Sequence, residues 1–278
     1  MQTQSTAGLL LPDLETLAVS AGREILDVYS TDFKVAVKAD ASSVTEADTR
    51  AEAVILEGLA RLSPCIPVVA EEQVAAGHVP DAAPCFYLVD PLDGTREFIS
   101  RNGEFTVNIA LVEDGVPVAG VVYAPALGVL YSGAAGLGAF RRDVTEGVLG
   151  PAAPIAVRQA PAEGIAAVAS RSHADPATDQ WLSCLSVSSV HTAGSSLKFG
   201  LVAEGRADVY PRLGRTMEWD TAAGDAVLRA AGGLVTRLDG TPLVYGKDRQ
   251  GADAPYANPH FVAYGDRRLV ELAAARAG

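Results

Sequence analysis

The stretch "FYLVDPLDGTREF", Phe86 to Phe98, constrains the fold more than any other part of the chain. Phe86 to Val89 is an unbroken apolar run of strand length, which predicts a buried strand. Directly behind it stand two acids three residues apart, Asp90 and Asp93. Burying a carboxylate is costly unless something pairs with it, so this strand end needs a partner for its acids. Pro91 fixes its own φ and keeps Asp90 extended. Gly94 lets the backbone turn sharply or lie close to a ligand. Thr95 offers a hydroxyl where a helix can begin.

The neighbouring segments supply two more acid clusters. "IPVVA" reads as a short strand and runs into Glu71 and Glu72. "MEWDTAAGDAVLRAAGG" carries Glu218 and Asp220 just before a helix. A weaker cluster, Glu46 and Asp48 in "VTEAD", sits in the first turn of an amphipathic helix opened by a Thr-x-x-Asp capping pattern. Each has an ordinary reading. Acids in a helix's first turn complement its dipole, and Glu71-Glu72 alone would be a solvated loop. Asp90 and Asp93 resist that reading because of the backbone devices around them.

Clustered carboxylates with no His or Cys nearby suit a hard cation, Mg²⁺ above all. Asp90 could bridge two ions while Asp93 holds one, with the Leu92 carbonyl as a further oxygen. Two such ions clamp the attacking and leaving oxygens of a phosphoryl displacement. The N–H groups of Gly94 and Thr95 would then cradle the phosphate. A calcium loop of the EF-hand type does not fit, because "DPLDGTREF" lacks the alternating acids and the twelfth-position Glu.

The rest of the chain predicts an α/β fold. Leu14, Leu17, Ala18, Ala21, Ile25 and Val28 mark a helix over Leu10 to Tyr29, and "FKVAVK" alternates as a strand. From Phe105 to about Phe140, three strands punctuated by "EDG" and "PALG" predict an antiparallel meander. Gly, Pro and small residues around Thr145 to Pro154 mark a boundary. It divides an α+β lobe over 1–148 from an α/β lobe over 149–278. In the second lobe strands and helices alternate, which predicts a second sheet covered by helices.

Among 278 residues the formal net charge is -12. That argues against nucleic acid or an anionic membrane as the main partner. It also poses a problem for any phosphorylated substrate, which a bound cation would solve locally. No apolar run reaches membrane-span length, and the N-terminus lacks the basic region of a signal peptide. Cys65, Cys85 and Cys184 have no metal-like spacing and read as reduced, mostly buried thiols of a cytoplasmic protein. No obligate protein partner is inferred.

Taken in order, "VVAEE", "DPLDGT" and "WDTAAGDAVLRAAGG" resemble the motifs of the inositol monophosphatase superfamily of Mg²⁺-dependent, Li⁺-sensitive phosphatases. The resemblance covers nearly the whole chain. "DPLDGTREFISRNGEFTVNIALV", "GVVYAP" and "GSSLKFGLVAEGRADVYPRLG" are more similar to its CysQ-type 3'(2'),5'-bisphosphate nucleotidases. An inositol monophosphatase more typically reads "DGTxNFxH" where this chain has Glu97-Phe98.

The resemblance implies a layered α/β/α/β/α sandwich and two or three Mg²⁺ ions. It implies that Glu71, Asp90 and the Leu92 carbonyl bind the first ion, and that Asp90, Asp93 and Asp220 bind the second. Thr95, backed by Glu71 and by Asp48, would orient the attacking water. Asp48 matches on "VTEAD" alone. Asp93, Gly94, Thr95 and Asp220 would surround the reacting phosphate. The implied substrate is a small bisphosphate nucleotide, adenosine 3',5'-bisphosphate, cleaved to AMP in sulfur assimilation; 3'-phosphoadenylyl sulfate is a second. Its other phosphate would need Lys198 and Arg212, with Ser195 and Ser196 as hydroxyl donors. His173 could reach the nucleotide or be a solvated loop residue. Some relatives sit peripherally on the cytoplasmic side of the inner membrane, but this chain supplies no basic amphipathic anchor. Two alternatives stay open: an inositol or sugar phosphatase of the same superfamily, and a non-catalytic metal- or nucleotide-binding protein.

Overall fold

The computed structural model describes residues 6–37, 43–81, 83–171, 176–251 and 253–277. Helix α1 (Thr6–Tyr29) buries Leu14, Leu17, Ala18, Ala21, Ile25 and Val28, the stripe predicted by spacing. Strands β1 (Val35–Val37) and β2 (Ser43–Thr45) form a small antiparallel ribbon. Helix α2 (Glu46–Leu62) starts at the predicted capping box. Thr45 Oγ1 accepts from Ala47 N at 3.2 Å, and Asp48 Oδ2 accepts from Thr45 N at 2.8 Å.

Next come β3 (Val68–Ala70), α3 (Glu71–Ala75), β4 (Cys85–Asp93) and α4 (Thr95–Ile99). The meander follows as β5 (Thr106–Glu113), β6 (Val116–Ala124), β7 (Val129–Ala134) and β8 (Gly138–Thr145). It has one strand more than expected, because the half-buried Arg141 and Arg142 of β8 blur the apolar alternation while the backbone keeps pairing. Strands β9 (Val148–Leu149) and β10 (Ala153–Ile155) also pair with β8, so the first sheet runs past residue 148 to Ile155. Its order is β10-β8-β7-β6-β5-β4-β3, antiparallel except for β3 beside β4.

The second half alternates as predicted: β11 (Ile165–Ser170), α5 (Pro176–Ser183), β12 (Val187–Ala193), α6 (Leu197–Ala203), β13 (Val209–Arg212) and α7 (Ala222–Ala230). Then come β14 (Leu234–Arg237), β15 (Phe261–Tyr264) and α8 (Arg268–Ala277). Four-residue β14 was not foreseen; "LVTR" is too short for a period to show. The second sheet has the order β12-β11-β13-β15-β14 and is mixed, parallel around β11 and antiparallel around β15.

The layers are α/β/α/β/α. Helices α1 and α2 cover the outer face of the first sheet, where Leu14, Ile25, Ile55 and Leu59 pack on Tyr87 and Ile109. Helices α6 and α7 fill the space between the sheets, with Phe199 and Val227 packed among Leu88, Val122 and Phe261. Helices α5 and α8 cover the second sheet with Leu182 and Leu269 on Ile165 and Val209. Among the described residues no helix is long and apolar enough to cross a membrane. None of the three cysteines forms a disulfide, but the expected burial is not found: Cys65 and Cys184 are exposed and Cys85 is partly covered. Cys65 lies in the loop after α2 and Cys184 just beyond α5, where no layer closes over them.

Helix α7 decides where the second half meets the first. Ala222, Ala223, Gly224, Ala226 and Val227 are all buried, as a helix between two sheets requires. It lies so close to the first sheet that a Cβ on Gly120 of β6 would stand 2.5 Å from the Ala223 carbonyl. Gly120→Ala should therefore cost about 1–3 kcal/mol by overpacking. For a chain of this size that lowers Tm by roughly 3–10 °C, measured by thermal unfolding. An unchanged Tm would mean that α7 can retreat freely.

Candidate active site

Residues three apart on a regular strand point to opposite faces, so β4 alone would separate Asp90 from Asp93. The pairing with β5 corrects this. Asp90 lies opposite Asn108 and Asp93 opposite Thr106, and those two share a face because they are two apart. Pro91 and Leu92 together oppose one residue of β5, which is a β-bulge. A bulge also tolerates Pro91, whose missing N–H would break a regular ladder. Asn108 Nδ2 donates to Asp93 Oδ2 at 3.4 Å, as a shared face requires.

The other acids arrive on separate elements. Ala70 of β3 is level with Val89 of β4, so Glu71, the next residue and the first of α3, emerges beside Asp90. Asp220 stands two residues ahead of α7 and is carried there by that helix's contact with the first sheet. One carboxylate oxygen from each of Glu71, Asp90 and Asp220 lies within 4.8 Å of the others. Burial, then the Asp93 and Glu71 charges, hold the Asp220 carboxyl well above its usual range. Burial raises Asp93 as well, against the opposing pull of Lys198 and the Ser196 hydroxyl. An all-oxygen cage of crowded acids fits a hard divalent cation: the ion supplies the charge that keeps them ionised.

Several side chains hold the cage that the sequence did not single out. Glu52, buried in α2, accepts from Glu72 N at 2.9 Å and so pins the start of α3. Burial chiefly, with the charges of Glu72 and Glu71, pushes Glu52 up to about 7, although the Glu72 N–H pulls it down. Its place four residues after Asp48, on the buried helix face, was the available signal. Asn108, a lone amide in the apolar run "TVNIALV", donates to Ser196 Oγ at 3.0 Å. Asn258 binds Met217 O at 2.7 Å and Thr221 Oγ1 at 2.9 Å, fixing the loop of Asp220; nothing in its irregular loop announces that.

One acid leaves the cluster. Glu218, grouped with Asp220 by sequence, is fully buried elsewhere, accepting from Gly246 N at 2.6 Å, Lys247 N at 2.9 Å and Lys247 Nζ at 2.7 Å. Asp48 Oδ2 is occupied by the α2 cap, from Thr45 N and from Thr45 Oγ1 at 2.8 Å.

A cavity of about 310 Å³ opens over the cage. Glu71, Asp93, Thr95, Ser195, Lys198 and Arg212 all line it. Gly94 turns at φ 90°, and a Cβ there would sit 3.2 Å from both Glu97 Oε2 and Ser195 Cβ, so glycine is required. Ser196 Oγ lies 2.9 Å from Asp93 Oδ2 and 2.6 Å from the Asp220 carbonyl. Lys198 is buried, its Nζ donating to the carbonyls of Ser195 and Ala193. Burial lowers it to about 8, with Asp93 pulling the other way. Arg212 Nε and Ser195 Oγ are buried without a hydrogen-bond partner. Arg96 and Arg215, which the sequence reading passed over, also line the cavity. His173 lies outside the described residues.

A model of the inositol monophosphatase family matches residues 10–267. The chain belongs to the inositol monophosphatase family. Within it, the 3'(2'),5'-bisphosphate nucleotidase CysQ of Escherichia coli K12 is 47% identical over 238 residues, 85% of this chain and 94% of that one. CysQ of Buchnera aphidicola is 42% identical over 239 residues, covering 85% and 87%. The crystal structure of CysQ from Bacteroides thetaiotaomicron superposes with a TM-score of 0.76 at 37% identity, covering 95% of this chain and 99% of that one. The inositol monophosphatase of Anabaena reaches a TM-score of 0.73 at 27% identity, covering 98% and 96%.

The family's layered fold is the one described above, and its acid motifs converge here on one cage. Because burial and crowding raise the Asp93 and Asp220 carboxyls, binding Mg²⁺ should be accompanied by proton release. Calorimetric titration at one pH in buffers of different ionisation enthalpy is expected to give different observed heats, with the difference shrinking as pH rises. Identical heats in all buffers would contradict the raised carboxyls.

Proposed function

We propose that the protein is a Mg²⁺-dependent phosphatase that removes the 3'-phosphate of adenosine 3',5'-bisphosphate, leaving AMP and inorganic phosphate. It acts in the cytoplasm, and 3'-phosphoadenylyl sulfate is a second substrate. The observation that carries this reading is one cavity lined by groups of two kinds. Acids that suit a cation line it, and so do Arg212 and Ser195, whose Nε and Oγ are buried without a hydrogen-bond partner. A substrate with two phosphates can meet both kinds of group at once. The CysQ relatives, named as bisphosphate nucleotidases, support it.

In this reading Glu71, Asp90, Asp93, Asp220 and the Leu92 carbonyl hold two or three ions. Mg²⁺ so held neutralises the scissile phosphate, acidifies water and stabilises charge on the departing oxygen. The chain's own groups do the rest. Thr95 Oγ1 orients the attacking water and Glu71 draws its proton, with Asp48 in support through the α2 start. The amides of Gly94 and Thr95 donate to the phosphate as the bond from phosphorus to O3' breaks and the bond to the water oxygen forms. Ser196 keeps Asp93 aimed at the site. Lys198 spends its Nζ on backbone carbonyls, so Arg212 is the first choice to bind the 5'-phosphate, with Ser195 beside it.

The direct experiment is phosphate release from adenosine 3',5'-bisphosphate and from inositol 1-phosphate, each with Mg²⁺ and with chelator. The bisphosphate should be preferred by about tenfold or more, as one charge-assisted contact permits. The reverse order would make this an inositol or sugar phosphatase, and no turnover with Mg²⁺ would make it a binding protein.

Two substitutions probe the acids and the arginine separately. Asp90→Asn should reduce kcat by at least about a hundredfold on every substrate, since the cage loses its central charge; activity near the parent's would remove Asp90 from the mechanism. Arg212→Ala should lower kcat/KM for the bisphosphate roughly ten- to a hundredfold, the worth of a charge-assisted phosphate contact. Inositol 1-phosphate should hardly notice. An equal fall on both would place Arg212 at the reacting phosphate instead.

A further inference from the structure

The turn Gly194-Ser195-Ser196 joins the second sheet to the acid cage, and Ser195 within it has φ 44°. A non-glycine residue there is uncommon and persists only where its surroundings over-determine it. Ser196 is fixed independently, by Asn108 and by the Asp220 carbonyl. Lys198 Nζ takes the Ser195 carbonyl from below. The remaining hold comes from Glu104, in the loop that leads into β5. Its Oε2 accepts from Gly194 N at 2.8 Å, and its carboxylate takes both Arg171 Nε at 2.7 Å and Arg171 Nη2 at 2.9 Å. Arg171 also reaches back to the Thr192 carbonyl at 3.0 Å. The contact is tight: a Cβ on Gly194 would lie 2.6 Å from the Glu104 carbonyl.

We infer that Glu104 is a positioning residue for the substrate: with Arg171 it clamps the turn from the first sheet's side and so holds Ser195 in place in the cavity's lining. This rests on the reading of that cavity as the substrate site. Glu104 touches neither the cage nor the reacting phosphate, so its effect falls on KM rather than kcat. Glu104 belongs to "RNGEFTVNIAL", the extension after the phosphate turn. The clamp gives that extension a physical task.

The test measures kcat, KM and Tm for the parent, Glu104→Ala, Glu104→Gln, Ser195→Ala and the Glu104→Ala/Ser195→Ala double variant. Glu104→Ala should raise KM for adenosine 3',5'-bisphosphate about tenfold while kcat stays within about threefold. Glu104→Gln keeps an acceptor for the Gly194 N–H and should raise KM less. On the Ser195→Ala background, Glu104→Ala should add less than about threefold, because the group it positions is already gone. An unchanged KM in Glu104→Ala, or an equal rise on both backgrounds, overturns the inference. Should Glu104→Ala fail to fold, the Gln variant carries the same comparison on both backgrounds. The parent's preference between the bisphosphate and inositol 1-phosphate tests the substrate reading separately. If the monophosphate wins, it is the substrate reading that fails, while an unchanged KM for the bisphosphate in Glu104→Ala is what overturns the role of Glu104.

Discussion

Mutual repulsion among Glu71, Asp90, Asp93 and Asp220 is the constraint on which the rest of the structure depends. Brought together from three segments of the chain and largely shielded from water, these acids work against one another's charge unless a cation joins them. A fold that only sought stability would not assemble such a group. Each structural device nearby makes sense as the means of holding it. The β4 bulge turns two acids to one face, and Glu52 pins α3 under Glu71. Asn258 ties down the loop of Asp220.

The layered architecture follows from where those acids must meet. Asp90 and Asp93 come from the first sheet, Asp220 from the helix between the sheets, and they converge only if that helix lies almost on the first sheet's backbone. Gly120 and Gly133 make room for it; a Cβ on Gly133 would be 2.8 Å from the Ala230 methyl. The turn at Ser196 then crosses from the second sheet to Asp93, so both halves of the chain contribute to one cavity. The lining of the cavity mixes the two signs in an otherwise acidic chain: Arg96, Lys198, Arg212 and Arg215 stand there beside Glu71, Asp93, Glu97 and Asp220, acids that suit a cation.

Much of this was legible in the sequence, and what was not has identifiable causes. The strand ending in Asp90 showed because apolar runs and Pro-Gly punctuation are local signals. The cap at Thr45 and the stripe of α1 showed for the same reason. Glu218 was misplaced because two acids two residues apart in a loop carry no sign of which way each points. The structure turns one to the cavity and the other to Lys247. Lys198, expected at the substrate's second phosphate, lines the cavity with its Nζ turned onto the backbone carbonyls of Ser195 and Ala193, a pairing that helical spacing does not record. Glu104 and Asn258 act through partners 67 to 90 and 37 to 41 residues away, and no periodicity records such pairings.

The central claim is that acids from the first sheet, from α3 beside it and from the loop leading into the helix between the sheets form one cation site. Anomalous diffraction from crystals grown with Mn²⁺ in place of Mg²⁺ tests it most directly. The account expects a peak within direct coordination distance of Asp90, shared with Glu71 on one side and Asp220 on the other. Peaks confined to one element, or none among these carboxylates at saturating Mn²⁺, would contradict it.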